Sequence, residues 1–120
     1  MAVTTDTLEI WHNPRCSKSR SALALLEERG LAPNVVLYLE TPPTEYEIAA
    51  ALKALKKAPR DIIRKSEDAY KSLDLADETL SDAALVKAMA ENPILIERPI
   101  VFNGRKAAIG RPPEAVLEIL

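Results

Sequence analysis

The run Leu8-Glu9-Ile10-Trp11-His12-Asn13-Pro14-Arg15-Cys16-Ser17-Lys18-Ser19-Arg20-Ser21-Ala22-Leu23-Ala24-Leu25-Leu26-Glu27-Glu28 passes from an apolar segment through a short polar loop into a strongly helical one. It predicts a strand over Thr7–Trp11 and a helix over Ser17–Gly30, closed by its C-terminal glycine. Asn34–Leu39 follows as an apolar, β-branched run, expected to be a strand buried on both faces. Strand, helix and strand at this spacing form a βαβ unit with parallel strands.

Beyond the turn Thr41-Pro42-Pro43, Thr44 and Glu47 form a capping-box pattern that opens a helix running to Lys57. Pro59–Asn92 reads as shorter helices, with Ser66 and Ser81 as N-caps, Leu85, Val86 and Met89 on one face, and Asn92-Pro93 as a stop. Pro99–Phe102 and Lys106–Ile109 flank Asn103-Gly104-Arg105, a hairpin whose Asn-Gly pair is expected to supply the positive-φ positions. Pro112-Pro113-Glu114 starts a last helix with Val116, Leu117 and Leu120 facing inward. The sum is one α/β domain over residues 1–120: a small mixed four-stranded sheet, flanking helices and a helical insert. This is the thioredoxin-like arrangement.

The chain is 48% hydrophobic and 28% charged with a formal net charge of −2. That balance shows no global positive field for nucleic acid. No apolar stretch approaches the roughly 20 residues of a membrane helix. The run Met1–Asp6 lacks a basic region followed by an apolar one, and one cysteine cannot form an internal disulfide. The expectation is an unprocessed cytoplasmic protein, with a monomer as the default.

That single cysteine, Cys16, stands at a strand-to-helix junction among Arg15, Lys18 and Arg20. Unpaired helix N-terminal amides and nearby cations favour a thiolate, which makes Cys16 the candidate nucleophile. Ser19 occupies the position where dithiol oxidoreductases carry a second cysteine, so any redox cycle needs a thiol from outside the chain. His12, the only histidine, either lowers the thiol pKa or relays a proton, or else ends the strand and hydrogen-bonds the loop. Arg64, Arg98 and Arg111 are candidate oxyanion holders, because guanidinium groups are permanently charged and offer forked donors. By fold analogy, Arg98 precedes a cis-proline beside the cysteine, although such bonds make up only roughly 5% of X-Pro bonds. Arg20, Arg29, Arg60 and Arg105 also read as ordinary solvated arginines. One histidine and one cysteine are too few for a metal site. Three glycines leave no phosphate-cradling loop.

His12–Arg20, Tyr38–Pro43, Ile63-Arg64-Lys65, Asn92–Val101 and Gly110-Arg111-Pro112 recur in order in one family. Over nearly its whole length the chain resembles the glutaredoxin-coupled arsenate reductase (ArsC-like) family. It looks most like a shorter subgroup marked by Asn13–Arg20 and Ile109–Glu114, without the longer C-terminal tail. The resemblance implies that Cys16 attacks arsenate and that Arg64, Arg98 and Arg111 hold the oxyanion. It also implies that His12 tunes the thiol, and that Ser19 and Arg20 line the anion loop. Glutathione and glutaredoxin are then the external reductants, with no bound cofactor. Two alternatives remain: a monothiol disulfide oxidoreductase or deglutathionylating protein, and a non-enzymatic regulator like the Spx branch, which binds RNA polymerase. Ser19 argues against the latter, whose members usually carry a Cys-x-x-Cys switch.

Overall fold

The computed structural model describes residues 8–120. Thr7, taken as the first strand residue, lies outside the described residues, as does the run Met1–Asp6. Two compact units emerge, one from the residues up to Thr41 together with Arg98–Leu120, the other from Pro42–Glu97.

The first unit is built on a four-stranded sheet in the order β2-β1-β3-β4. Its strands are β1 (Leu8–Trp11), β2 (Asn34–Val36), β3 (Ile100–Asn103) and β4 (Lys106–Ile109). β1 pairs with β2 in parallel, as the βαβ reading requires, and with β3 antiparallel; β3 and β4 form the antiparallel hairpin. Leu8 and Ile10 alternate into a core shared with Ala22 and Leu26 of α1 (Ser17–Glu28), Val101, Val116 and Ile119. Glu9, between them, accepts a hydrogen bond from Asn34 Nδ2 at 3.1 Å. Trp11 packs against Phe102 with ring centroids 5.0 Å apart and the planes tilted by 58°.

Several expectations change in detail. β2 is three residues long, and Val35 is 42% exposed, so this strand is not buried on both faces. Among the described residues it is the sheet's edge, paired with β1 alone. Tyr38–Glu40 turn away, although the Tyr38 side chain is buried. α1 stops at Glu28, and Gly30 (φ 75°) follows in the left-handed region. There Gly30 N donates to Glu27 O and Leu31 N to Leu26 O, the paired bonds of a Schellman end. The hairpin loop is Gly104-Arg105, because Asn103 pairs with Lys106; Gly104 (φ 61°) alone of these has positive φ. The last segment is a 3-10 helix over Pro113–Ile119. Three residues per turn put Val116 and Ile119 on the buried side and leave Leu120 44% exposed, contrary to the inward Leu120 of an α-helix.

The second unit is helical: α2 (Glu45–Leu55), α3 (Pro59–Ile62), α4 (Asp68–Ser72) and α5 (Asp82–Glu91), then a 3-10 turn over Pro93–Leu95. Thr44 Oγ1 accepts from Glu47 N at 3.1 Å, and the Glu47 carboxylate accepts from Thr44 N at 2.9 Å, completing the capping box. α2 ends at Leu55, two residues short of the expected Lys57, because Lys56 enters the left-handed region at φ 58°. Ser81 caps α5 through Ala84 N. Ser66 caps nothing: it lies in a turn, and Glu67 is the residue before α4. Leu85, Val86 and Met89 are buried as their spacing predicts. Arg60, read as solvated, donates to Leu75 O at 2.8 Å and Asp77 O at 2.6 Å, tying down the chain after α4. No helix among the described residues is long and apolar enough to cross a membrane.

Candidate active site

Cys16 is the residue immediately before α1, with extended backbone (φ −94°, ψ 122°) that starts the helix while leaving its side chain outside it. A tight loop delivers it there. Asn13 Oδ1 accepts from Arg15 N at 3.0 Å, an Asx turn, and Asn13 O accepts from Cys16 N at 3.0 Å. Arg20 reaches back from α1 to donate to Pro14 O at 2.9 Å. The Ser19 hydroxyl, fully buried, accepts from Asn13 N at 3.0 Å and lies 2.7 Å from His12 Nδ1. Loop and helix are thus knotted together by polar side chains behind the thiol.

Two arginines reach the sulfur. Arg111 Nη2 lies 3.7 Å from Cys16 Sγ, while its Nε donates to Arg98 O at 2.8 Å. Arg98 itself hydrogen-bonds the thiol. Both stand before cis-prolines, Pro99 and Pro112; the first was expected by analogy, and the second was not. Burial pushes the Cys16 thiol up, but the Ser19 amide, the Arg98 hydrogen bond, the Lys18 amide and the Arg98 charge together hold it below its ordinary value. Cys16 is half-buried, within reach of solvent.

The other candidates fall differently. His12 is buried, and burial followed by the charge of Arg20 lowers its pKa against a smaller effect of Glu27. Burial thus favours the neutral ring, and the charge that acts on the sulfur is that of Arg98. His12 ends β1, with its N donating to Val36 O at 2.9 Å. The Ser19 side chain faces the loop interior, so what this residue offers the sulfur is its backbone N–H. The Arg20 side chain is held by Pro14 O on the exposed side of the loop. Arg64 belongs to the second unit, where its Nε meets Glu67 at 3.1 Å and its Nη1 meets Glu97 at 2.8 Å. Two carboxylates compensate its charge, whereas Arg98 and Arg111 turn theirs to the thiol. Asn13 is the loop residue not singled out from the sequence, though Asn-Pro is a turn-initiating pair.

A thiolate at a helix N-terminus, contacted by two guanidinium groups, can attack an electrophilic anion without the usual charge repulsion. The model of the ArsC family matches residues 11–119, from the end of β1 to the last helical turn. This chain belongs to the ArsC family.

Similar proteins share almost its full length. It is 55% identical to the protein YfgD of Escherichia coli over 117 residues, 97% of this chain and 98% of that one. It is 52% identical to the arsenate reductase of Haemophilus influenzae over 112 residues, 92% of this chain and 97% of the relative. The solved arsenate reductase of Vibrio cholerae matches with a TM-score of 0.92 at 54% identity, covering 94% of this chain and 97% of its own. The thioredoxin-like fold expected from the element order is that of these ArsC structures.

Proposed function

We propose that this protein is an arsenate reductase that draws its electrons from glutathione and glutaredoxin. The observation that carries this is the pair of arginines at the thiol, Arg111 Nη2 at 3.7 Å and Arg98 in a hydrogen bond. A disulfide exchanger needs an activated thiol but not two guanidinium groups beside it. The Cys16 thiolate attacks the arsenic of arsenate, and an S–As bond forms as one oxygen leaves as water after protonation. Arg98 and Arg111 take the anionic oxygens. A glutathione thiolate then attacks the Cys16 sulfur. An S–S bond forms, the S–As bond breaks, and arsenic keeps the electron pair and leaves as arsenite. The glutaredoxin thiol reduces the mixed disulfide and restores Cys16. This cycle needs no second cysteine in the chain, in keeping with the single one present. A reducing compartment, the cytoplasm, suits a lone activated thiol.

The test is NADPH oxidation coupled through glutathione reductase, glutathione and glutaredoxin, with arsenate as substrate. Turnover that vanishes in Cys16→Ser is expected. No turnover above blank, with an active arsenate reductase run in parallel, overturns the assignment. Turnover with a glutathionylated peptide and none with arsenate favours the deglutathionylating alternative.

A further inference from the structure

Gly110 is a point where the backbone has no room for a side chain. A Cβ built there would lie 2.6 Å from Pro99 Cγ, 3.2 Å from Pro99 Cδ and 3.3 Å from Ala22 Cβ. The first distance is one that real Cβ atoms do not adopt, and the obstructing atom belongs to a buried ring rather than to a flexible chain end. Gly110 is not in the left-handed region, so conformational freedom is not the reason for glycine here. The reason is close approach.

The three contacting pieces are those that assemble the site. Ala22 lies on α1, whose first amides and preceding residue present the sulfur. Pro99 follows Arg98, and Gly110 N donates to Pro99 O at 2.9 Å. Arg111 follows Gly110, and its Nε returns to Arg98 O at 2.8 Å. Ile100 pairs with Ile109, so the Pro99–Gly110 hydrogen bond prolongs the hairpin ladder toward the thiol. We infer that Gly110 is a positioning residue, the spacer that sets how closely Arg98 and Arg111 approach the Cys16 sulfur. A methyl group at Gly110 must push the Pro99 segment, α1 or its own strand aside, and each of these carries one member of the thiol–arginine cluster.

This inference rests on the thiol–arginine site of the proposed reductase, but its main readout needs no arsenate. Cys16 is the sole cysteine, so alkylation by a neutral reagent such as iodoacetamide reports this thiol alone. The charged and titratable groups around it are His12 after β1, Arg15, Lys18 and Arg20 in the loop and α1, Arg98 before β3 and Arg111 after β4. All keep their identity in Gly110→Ala. The expected result is alkylation roughly three- to tenfold slower at pH 6.5, with the rate unchanged at pH 10, where any thiol is ionised. In the coupled assay the KM for arsenate should rise more than kcat falls. If Gly110→Ala does not fold, the double variant Ala22→Gly with Gly110→Ala removes one contact and should show the same shifted profile. A folded variant with the wild-type alkylation profile overturns the inference. So does failure of both variants to fold, which makes Gly110 a folding residue only. A shifted profile in a protein that never reduces arsenate keeps the inference and removes the proposed substrate instead.

Discussion

At Cys16, burial opposes ionisation while two amides and Arg98 favour it, and the second group wins. Removing Arg98 should therefore reverse much of the balance. In Arg98→Ala the alkylation midpoint is expected to move up toward the free-thiol value of about 8.5, with thermal stability little changed, since the side chain is only half-buried. Alkylation across pH 5–10, alongside a melting curve, checks both parts. His12 supplies a separate pH effect. Its folded pKa is lowered, so between that value and the unfolded value of about 6.5 the unfolded chain binds more protons. Stability is thus full above pH 6.5 and declines as the pH falls through that window. Urea denaturation at pH 7.5 and 5.5 should show a smaller acid loss in His12→Gln than in the wild type.

At the scale of elements, helix ends decide most of the boundaries. α1 closes on Gly30 and α2 on Lys56, both at positive φ, but only the first is a residue that adopts such backbone without cost. A non-glycine residue in the left-handed region costs roughly 1–2 kcal/mol, partly offset by the larger unfolded-state freedom of glycine. Lys56 is exposed, so Lys56→Gly should stabilise the protein by about 0.5–1 kcal/mol, seen as a higher urea midpoint at constant m value. At the other end of a helix, Ser81→Ala leaves Ala84 N without its acceptor. It should cost about 1 kcal/mol by the same measurement. Capping chemistry also explains the legible boundaries: Thr44, Ser81 and the Asn92-Pro93 stop all follow from local hydrogen-bonding demands. Ser66 failed as a cap because a side-chain oxygen is a candidate wherever it occurs, and only the chain direction set by α3 and α4 selects the residue that starts the helix.

At the scale of the whole molecule, one cysteine dictates the redox chemistry. Exposure to oxidised glutathione should yield one glutathione adduct per chain and no internal disulfide, as intact mass will show; more than one adduct, or none, is incompatible with Cys16 as an accessible thiol. The βαβ unit, the hairpin and the place of Cys16 at a helix start were legible because strand alternation, helix spacing and turn residues are all local patterns. Edge and centre were not legible: Val35 is apolar, yet it is exposed on a strand that, among the described residues, has a single neighbour in the sheet. Nor does composition tell one arginine from another. Arg98 and Arg111 meet a thiol more than eighty residues away in the chain, Arg64 meets Glu67 and Glu97, and Arg60 meets two carbonyls. The sequence by itself determined that a single thiol stands at a strand-to-helix junction, and that a disulfide step of any redox cycle would take its second thiol from outside the chain. Which cations touch that thiol, that His12 is buried against Ser19, and that Gly110 leaves room for the approach were decided only by tertiary structure, because partners distant in the chain meet through packing rather than through local preference.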